Sequence, residues 1–85
     1  MGELKALRGV EMMIDGRGVT IVQPYDTVPR LFNVRDAADG QRLAILLDLG
    51  RGRWRGVRTD LGDPMNPTML DAEDVQEAAR LTLRL

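Results

Sequence analysis

Apolar and polar residues alternate through much of the first sixty positions, and three clusters rich in glycine and aspartate interrupt the alternation. A period of two is that of a half-buried strand, so the pattern predicts short strands joined by tight turns. Gly9 to Ile14 places Val10, Met12 and Ile14 on one face. Asp15-Gly16-Arg17-Gly18 is a hairpin signal, because glycine accepts positive φ without steric cost. Val19 to Val22 is the return strand, with Val19 and Ile21 inward, and Pro24 closes it because proline cannot donate to a ladder. Leu31 to Asp36 is a third strand with Phe32 and Val34 inward, followed by a turn at Ala38-Asp39-Gly40-Gln41.

The fourth strand, Leu43 to Leu49, sets Leu43, Ile45, Leu47 and Leu49 on one face and Ala44, Leu46 and Asp48 on the other. The bulkier set is read as inward, which leaves Leu46 outward together with Met13 and Val22. A turn at Gly50-Arg51-Gly52 leads to a fifth strand, Arg53 to Thr59. Trp54 and Val57 have opposite parity there, and a bulge at Gly56 is expected to turn both inward. Residues 62–67 contain Pro64 and Pro67 and read as loop. A helix follows, with Asp71 as expected N-cap, Asp74 in the capping-box position, and Arg80 and Arg84 near the end, an order that complements the helix dipole. The predicted fold is α+β: a single domain over residues 1–85, with about five short antiparallel strands and one C-terminal helix. An SH3-like small barrel is the first topology, and a curled meander sheet covered by the helix is the second.

The helix carries more apolar surface than one sheet face requires. Val75, Ala78, Ala79, Leu81, Thr82, Leu83 and Leu85 cover an arc of roughly 200°, where packing on a single face needs about 100° or somewhat more. Either the helix is clasped on two sides within the monomer, or the flank bearing Leu81 and Leu85 meets a partner or a second copy.

Composition adds exclusions. The 85 residues include no Cys, His or Ser, which removes thiolate and imidazole metal sites, disulfides, the commonest general base and a serine triad. A carboxylate-only mechanism through Asp60 and Asp63, or through Asp71, Glu73 and Asp74, is better explained by turn and capping roles. No catalytic residue, metal or cofactor is expected. The longest apolar run is Leu43 to Leu47, far short of the roughly 20 residues of a membrane span. The first residues lack an apolar signal core, and Ala6 stands where a myristoylation motif requires Ser or Thr, so a cytoplasmic location without membrane contact is the expectation.

Charge is unevenly placed in a chain of formal net charge −1. Residues 50–58 hold Arg51, Arg53, Arg55, Arg58 and the only tryptophan, with no acid; residues 60–77 hold six carboxylates and no base. The spacing of Gly50, Gly52 and Gly56 is not that of a phosphate loop, and a strand rather than a helix follows. Two binding readings remain. One is a small non-enzymatic protein-binding or assembly module using Arg51, Arg53, Arg55, Arg58, Leu81 and Leu85. Domains this small and catalytically empty are frequent among phage and mobile-element accessory proteins, including assembly factors and inhibitors of host defence complexes. The alternative is a nucleic-acid-binding hairpin in which Arg51, Arg53, Arg55 and Arg58 contact phosphates and Trp54 stacks on a base. Against it stands the use of Trp54 as the largest apolar side chain available to a core poor in aromatics.

Overall fold

A computed structural model describes residues 10–25, 27–60 and 67–84. Six strands form one antiparallel sheet in sequential order: β1 (Val10–Ile14), β2 (Arg17–Val22), β3 (Leu31–Asp36), β4 (Arg42–Gly50), β5 (Arg53–Arg58) and β6 (Thr68–Asp71). Among the described residues one helix, α1 (Val75–Leu83), packs on β4, β5 and β6. The α+β class therefore stands, but the sheet is open: among the described residues β1 and β6 are its two edges and do not pair. The meander, not the barrel, is the observed topology.

The sixth strand lies between the expected loop at 62–67, of which 62–66 fall outside the described residues, and the expected N-cap Asp71, where the sequence pattern predicts no strand. Thr68–Asp71 pairs with β5 from Arg53↔Asp71 to Gly56↔Thr68, and Pro67 stands just before it, where a missing N–H costs the ladder nothing. The helix consequently begins later than predicted. Asp74, not Asp71, is its N-cap: Oδ1 accepts the Glu77 N–H at 2.9 Å, while Glu77 Oε1 accepts the Glu73 N–H at 2.9 Å. The two carboxylates satisfy backbone donors that the first turn leaves open.

The register fixes which residues share a face, since cross-strand partners point the same way. Phe32 pairs with Leu46, Val34 with Ala44, Leu46 with Gly56, and Trp54 with Leu70. These positions lie on the helix side, and Val34, Ala44 and Leu46 are fully buried beneath α1 or beside it. The expected orientation of β4 thus holds at Leu43, which is buried, and is inverted from Ala44 onward. Leu46 is inward, Ile45 and Leu47 are half-buried on the opposite side, and Leu49, the extra residue at the register shift before Gly50, is half-buried. The helix face explains the inversion: it is built from Ala78, Ala79 and Thr82, and such a low-relief face approaches closely only over small sheet residues.

Gly56 provides that approach. It is regularly paired on both sides, to Leu46 and to Thr68, and carries no bulge. The register shifts fall instead between Val34 and Arg35, opposite Leu43 and Ala44, and between Asp48 and Gly50. The first lets two consecutive residues, Leu43 and Ala44, both be buried. With no bulge at Gly56, Val57 stays on the face opposite Trp54 and is half-buried there. Val75, Leu81 and Leu83 all pack against the buried cluster, so the helix is held on both flanks by its own chain.

Candidate functional site

Parity along β5 decides where its arginines go. Arg53 and Arg55 stand on the face opposite Trp54 and Gly56, and both are exposed; Arg58 shares the Trp54 face and turns under the end of the helix. There its guanidinium donates Nε to Asp60 Oδ1 and Nη2 to Asp60 Oδ2, each at 2.8 Å, and Nη1 to the Leu83 carbonyl at 2.9 Å. Both side chains of the pair are largely shielded from solvent. The hydrogen bonds from Arg58 hold the Asp60 carboxyl below its ordinary range, with burial opposing and the guanidinium charge adding to the effect. The same bond raises the Arg58 pKa. Arg58 is a structural clip between the end of β5 and an open carbonyl of α1.

Trp54 is only 5% exposed, its ring centroid lies 5.9 Å from that of Phe32, and Nε1–H donates to the Ala72 carbonyl at 3.2 Å. Its indole is committed to the core and offers no stacking surface. Leu81 is half-buried against the core cluster. Leu85 and Asp63 lie outside the described residues.

The exposed remainder gathers at one end of the sheet. Arg51 occupies the β4–β5 turn with φ 59, between Gly50 at φ 87 and Gly52 at φ 77. A left-handed backbone is uncommon for arginine, and turns usually assign it to Gly, Asn or Asp. The β2–β3 loop reaches the same end: the Asp48 N–H donates to the Arg30 carbonyl at 2.9 Å, and Arg30 Nη1 stands 4.0 Å from where a Cβ on Gly50 would project. Arg30, Arg51, Arg53 and Arg55 are all exposed. Arg55 is flanked across the strands by Leu47 and by Met69, and Met69 is 49% exposed on the same face. Arg30 and Met69 belong to this surface but carry no sequence signal of their own. Met69 follows only once β6 is recognised as a strand.

The acidic residues lie beside this surface without neutralising it. Arg51 and Gly52 form one wall of a shallow groove of about 370 Å³, with Asp71, Ala72, Glu73 and Glu77 on the other. Among the described residues the single ion pair here is Arg53 Nε to Asp71 Oδ1 at 3.9 Å, with the side chains 66% and 90% exposed. An exposed pair of this length contributes well under about 1 kcal/mol. The arginines thus face outward, flanked rather than captured by the acidic helix start. Among the described residues no group of His, Cys, Asp or Glu is arranged to hold a metal, and no helix is long and apolar enough to cross a membrane.

The sequence matches no family model, and neither a curated protein nor a solved structure shows significant similarity to it.

Proposed function

We propose that the protein is a small non-enzymatic binding module that grips an acidic protein surface with the arginine end of its sheet. The observation that carries this reading is the exposure of Arg51, Arg53 and Arg55 beside Met69, with only one long ion pair among them. Arginine and methionine are enriched at protein interfaces, where a guanidinium fork meets carboxylates and a flexible thioether fills an apolar gap. Arg51 in a left-handed turn supports the same reading, since local backbone strain is often retained where a side chain serves function. Arg58 and Leu81, engaged within the fold, fall outside the contact surface. An accessory role in the cytoplasm, as an assembly factor or an inhibitor of a host defence complex of the phage or mobile-element kind, suits a module whose chemistry is one surface.

The nucleic-acid reading shares the guanidiniums but lacks its stacking partner, because Trp54 is enclosed. The discriminating experiment is affinity capture from the host with the wild-type chain and with the Arg51→Glu/Arg53→Glu/Arg55→Glu variant, alongside titration of short DNA and RNA at several salt concentrations. The expected result is a partner lost on charge reversal while the melting temperature holds, and no nucleic-acid binding. Retention of the partner by the variant overturns the proposal. Nucleic-acid binding with a salt slope of about −0.7 to −0.9 per phosphate replaces it with the alternative.

A further inference from the structure

The two edges of the sheet are built differently. β6 is four residues long, follows Pro67, ends in Asp71 and lies against α1. These are devices that discourage further strand addition. β1 has fewer of them: Val-Glu-Met-Met-Ile contains no Lys or Pro and a single charge, Glu11, pairs with β2 in unbroken register over all five residues, and leaves Val10 43% and Met13 65% exposed. Among the described residues no strand lies on its outer side.

Hydrogen-bond parity fixes what that edge can accept. Asp15 at φ 51 and Gly16 at φ 82 form a two-residue turn with positive φ at both positions, so the flanking Ile14 and Arg17 exchange both backbone bonds. Met12↔Val19 and Val10↔Ile21 then repeat that pattern two residues apart. The backbone groups of Glu11 and Met13 therefore point away from β2. A second antiparallel copy must bond at those same residues, which restricts the registers to three within reach of the strand. One of them opposes Glu11 to Glu11, and like charges directly across a ladder are unfavourable. Another sets Glu11 against Asp15, which lies in the turn at φ 51 with its carboxylate bound by Arg84, so that register keeps only the two bonds between the Met13 residues. The third centres on Met12 and sets each Glu11 opposite Met13 of the second copy. It also aligns Val10 with Ile14 and Met12 with Met12 on the helix side, which covers the exposed Val10 and joins the two apolar faces.

We infer that β1 is a self-complementary edge through which two copies of this chain form a two-fold dimer, with Met12 at the axis and one continuous sheet across it. About four intermolecular backbone bonds and a small apolar row make a weak association, with a dissociation constant of about 10 µM to 1 mM. This inference is independent of the arginine surface, which lies near the opposite edge.

The test is analytical ultracentrifugation of the full chain up to millimolar concentration, with Met13→Lys and Met13→Glu as paired variants. Met13 is exposed, so both variants are expected to keep the wild-type melting temperature. In the proposed register Lys faces Glu11 of the second copy twice, and the dimer tightens by about 2- to 30-fold; Glu there loosens it by a similar factor. A wild-type chain that stays monomeric to about 1 mM overturns the inference. A dimer indifferent to both variants, or weakened by Lys, also overturns it, because the contact then lies elsewhere or in another register. A filtered nuclear Overhauser contact between Met12 α-protons in a mixed-isotope sample would establish the two-fold axis directly.

Discussion

Substituting Gly56 by alanine is expected to destabilise this fold severely, although the residue sits in a regular strand where alanine is ordinarily the better choice. A Cβ at Gly56 would overlap Thr82 Oγ1 outright and would stand 3.1 Å from Thr82 Cγ2 and from Leu70 Cδ1. Thr82 cannot easily yield, being fully buried with its hydroxyl donating to the Ala78 carbonyl at 2.8 Å. The helix must move off the sheet, or threonine must leave its rotamer. Overpacking of this kind costs about 1–3 kcal/mol, and two tight contacts besides the overlap place Gly56→Ala near the top of that range. A chain of 85 residues has about 4–13 kcal/mol of total stability, so the loss is a large fraction of it. At about 4–8 °C per kcal/mol for a domain of this size, the melting temperature should fall by about 10–20 °C.

The assay is a double-mutant cycle by urea denaturation. Thr82→Ala alone removes a buried methyl and a hydroxyl bonded to a carbonyl already engaged in the helix, for a loss of about 1–1.5 kcal/mol. It also removes both Thr82 atoms that oppose the new Cβ. The remaining neighbour is Leu70 Cδ1, the end of a flexible side chain. Gly56→Ala/Thr82→Ala should therefore be no less stable than Thr82→Ala, with a favourable coupling of about 2.5–3 kcal/mol, the whole cost of Gly56→Ala alone. Additive losses would refute the close approach of α1 over Gly56 as the reason for glycine at this position.

Two further outcomes follow from the clip and from the tryptophan. The Asp60 carboxyl is held below its ordinary range chiefly by the bonds from Arg58, so the folded state binds fewer protons there than the unfolded one. Its contribution is present above about pH 4 and is lost as pH falls through the lowered folded value. Asp60→Asn should lower the urea midpoint clearly at pH 7, and the gap should narrow progressively as pH falls below about 4; a gap that does not narrow with falling pH would contradict the assignment. Trp54 should show the emission of a buried indole, resist acrylamide quenching and remain unchanged on adding single-stranded oligonucleotides. Strong quenching by the oligonucleotides would revive the stacking role.

The turns and the first three strands were legible because glycine, aspartate and period-two alternation all point the same way there. β4 was not, because it is apolar on both faces and bulk alone does not say which face the helix covers. The deciding signal lay elsewhere, in the alanines of the helix, which demand a smooth sheet surface of the kind that Ala44 and Gly56 provide. β6 was missed because four residues between prolines and acids carry too little alternation to stand out. That omission moved the expected N-cap from Asp74 to Asp71 and hid Met69. The assumed bulge at Gly56 had a further consequence, since it erased the parity that separates Arg58 from Arg53 and Arg55.

That parity divides the chemistry of the basic segment. Even positions Trp54, Gly56 and Arg58 lie under the helix and serve the fold, respectively as core, as close contact and as clip to Leu83 and Asp60. Odd positions Arg51, Arg53 and Arg55 carry charge that the fold does not consume. Substitutions at the odd positions should therefore change binding with stability shifts within about 0.5 kcal/mol, while those at the even positions should change stability first. A single strand presenting both sets ties the orientation of the arginines to the helix packing behind them. Loosening α1 at Gly56 should then weaken any binding through the proposed surface by misplacing the hairpin, without altering a residue of that surface.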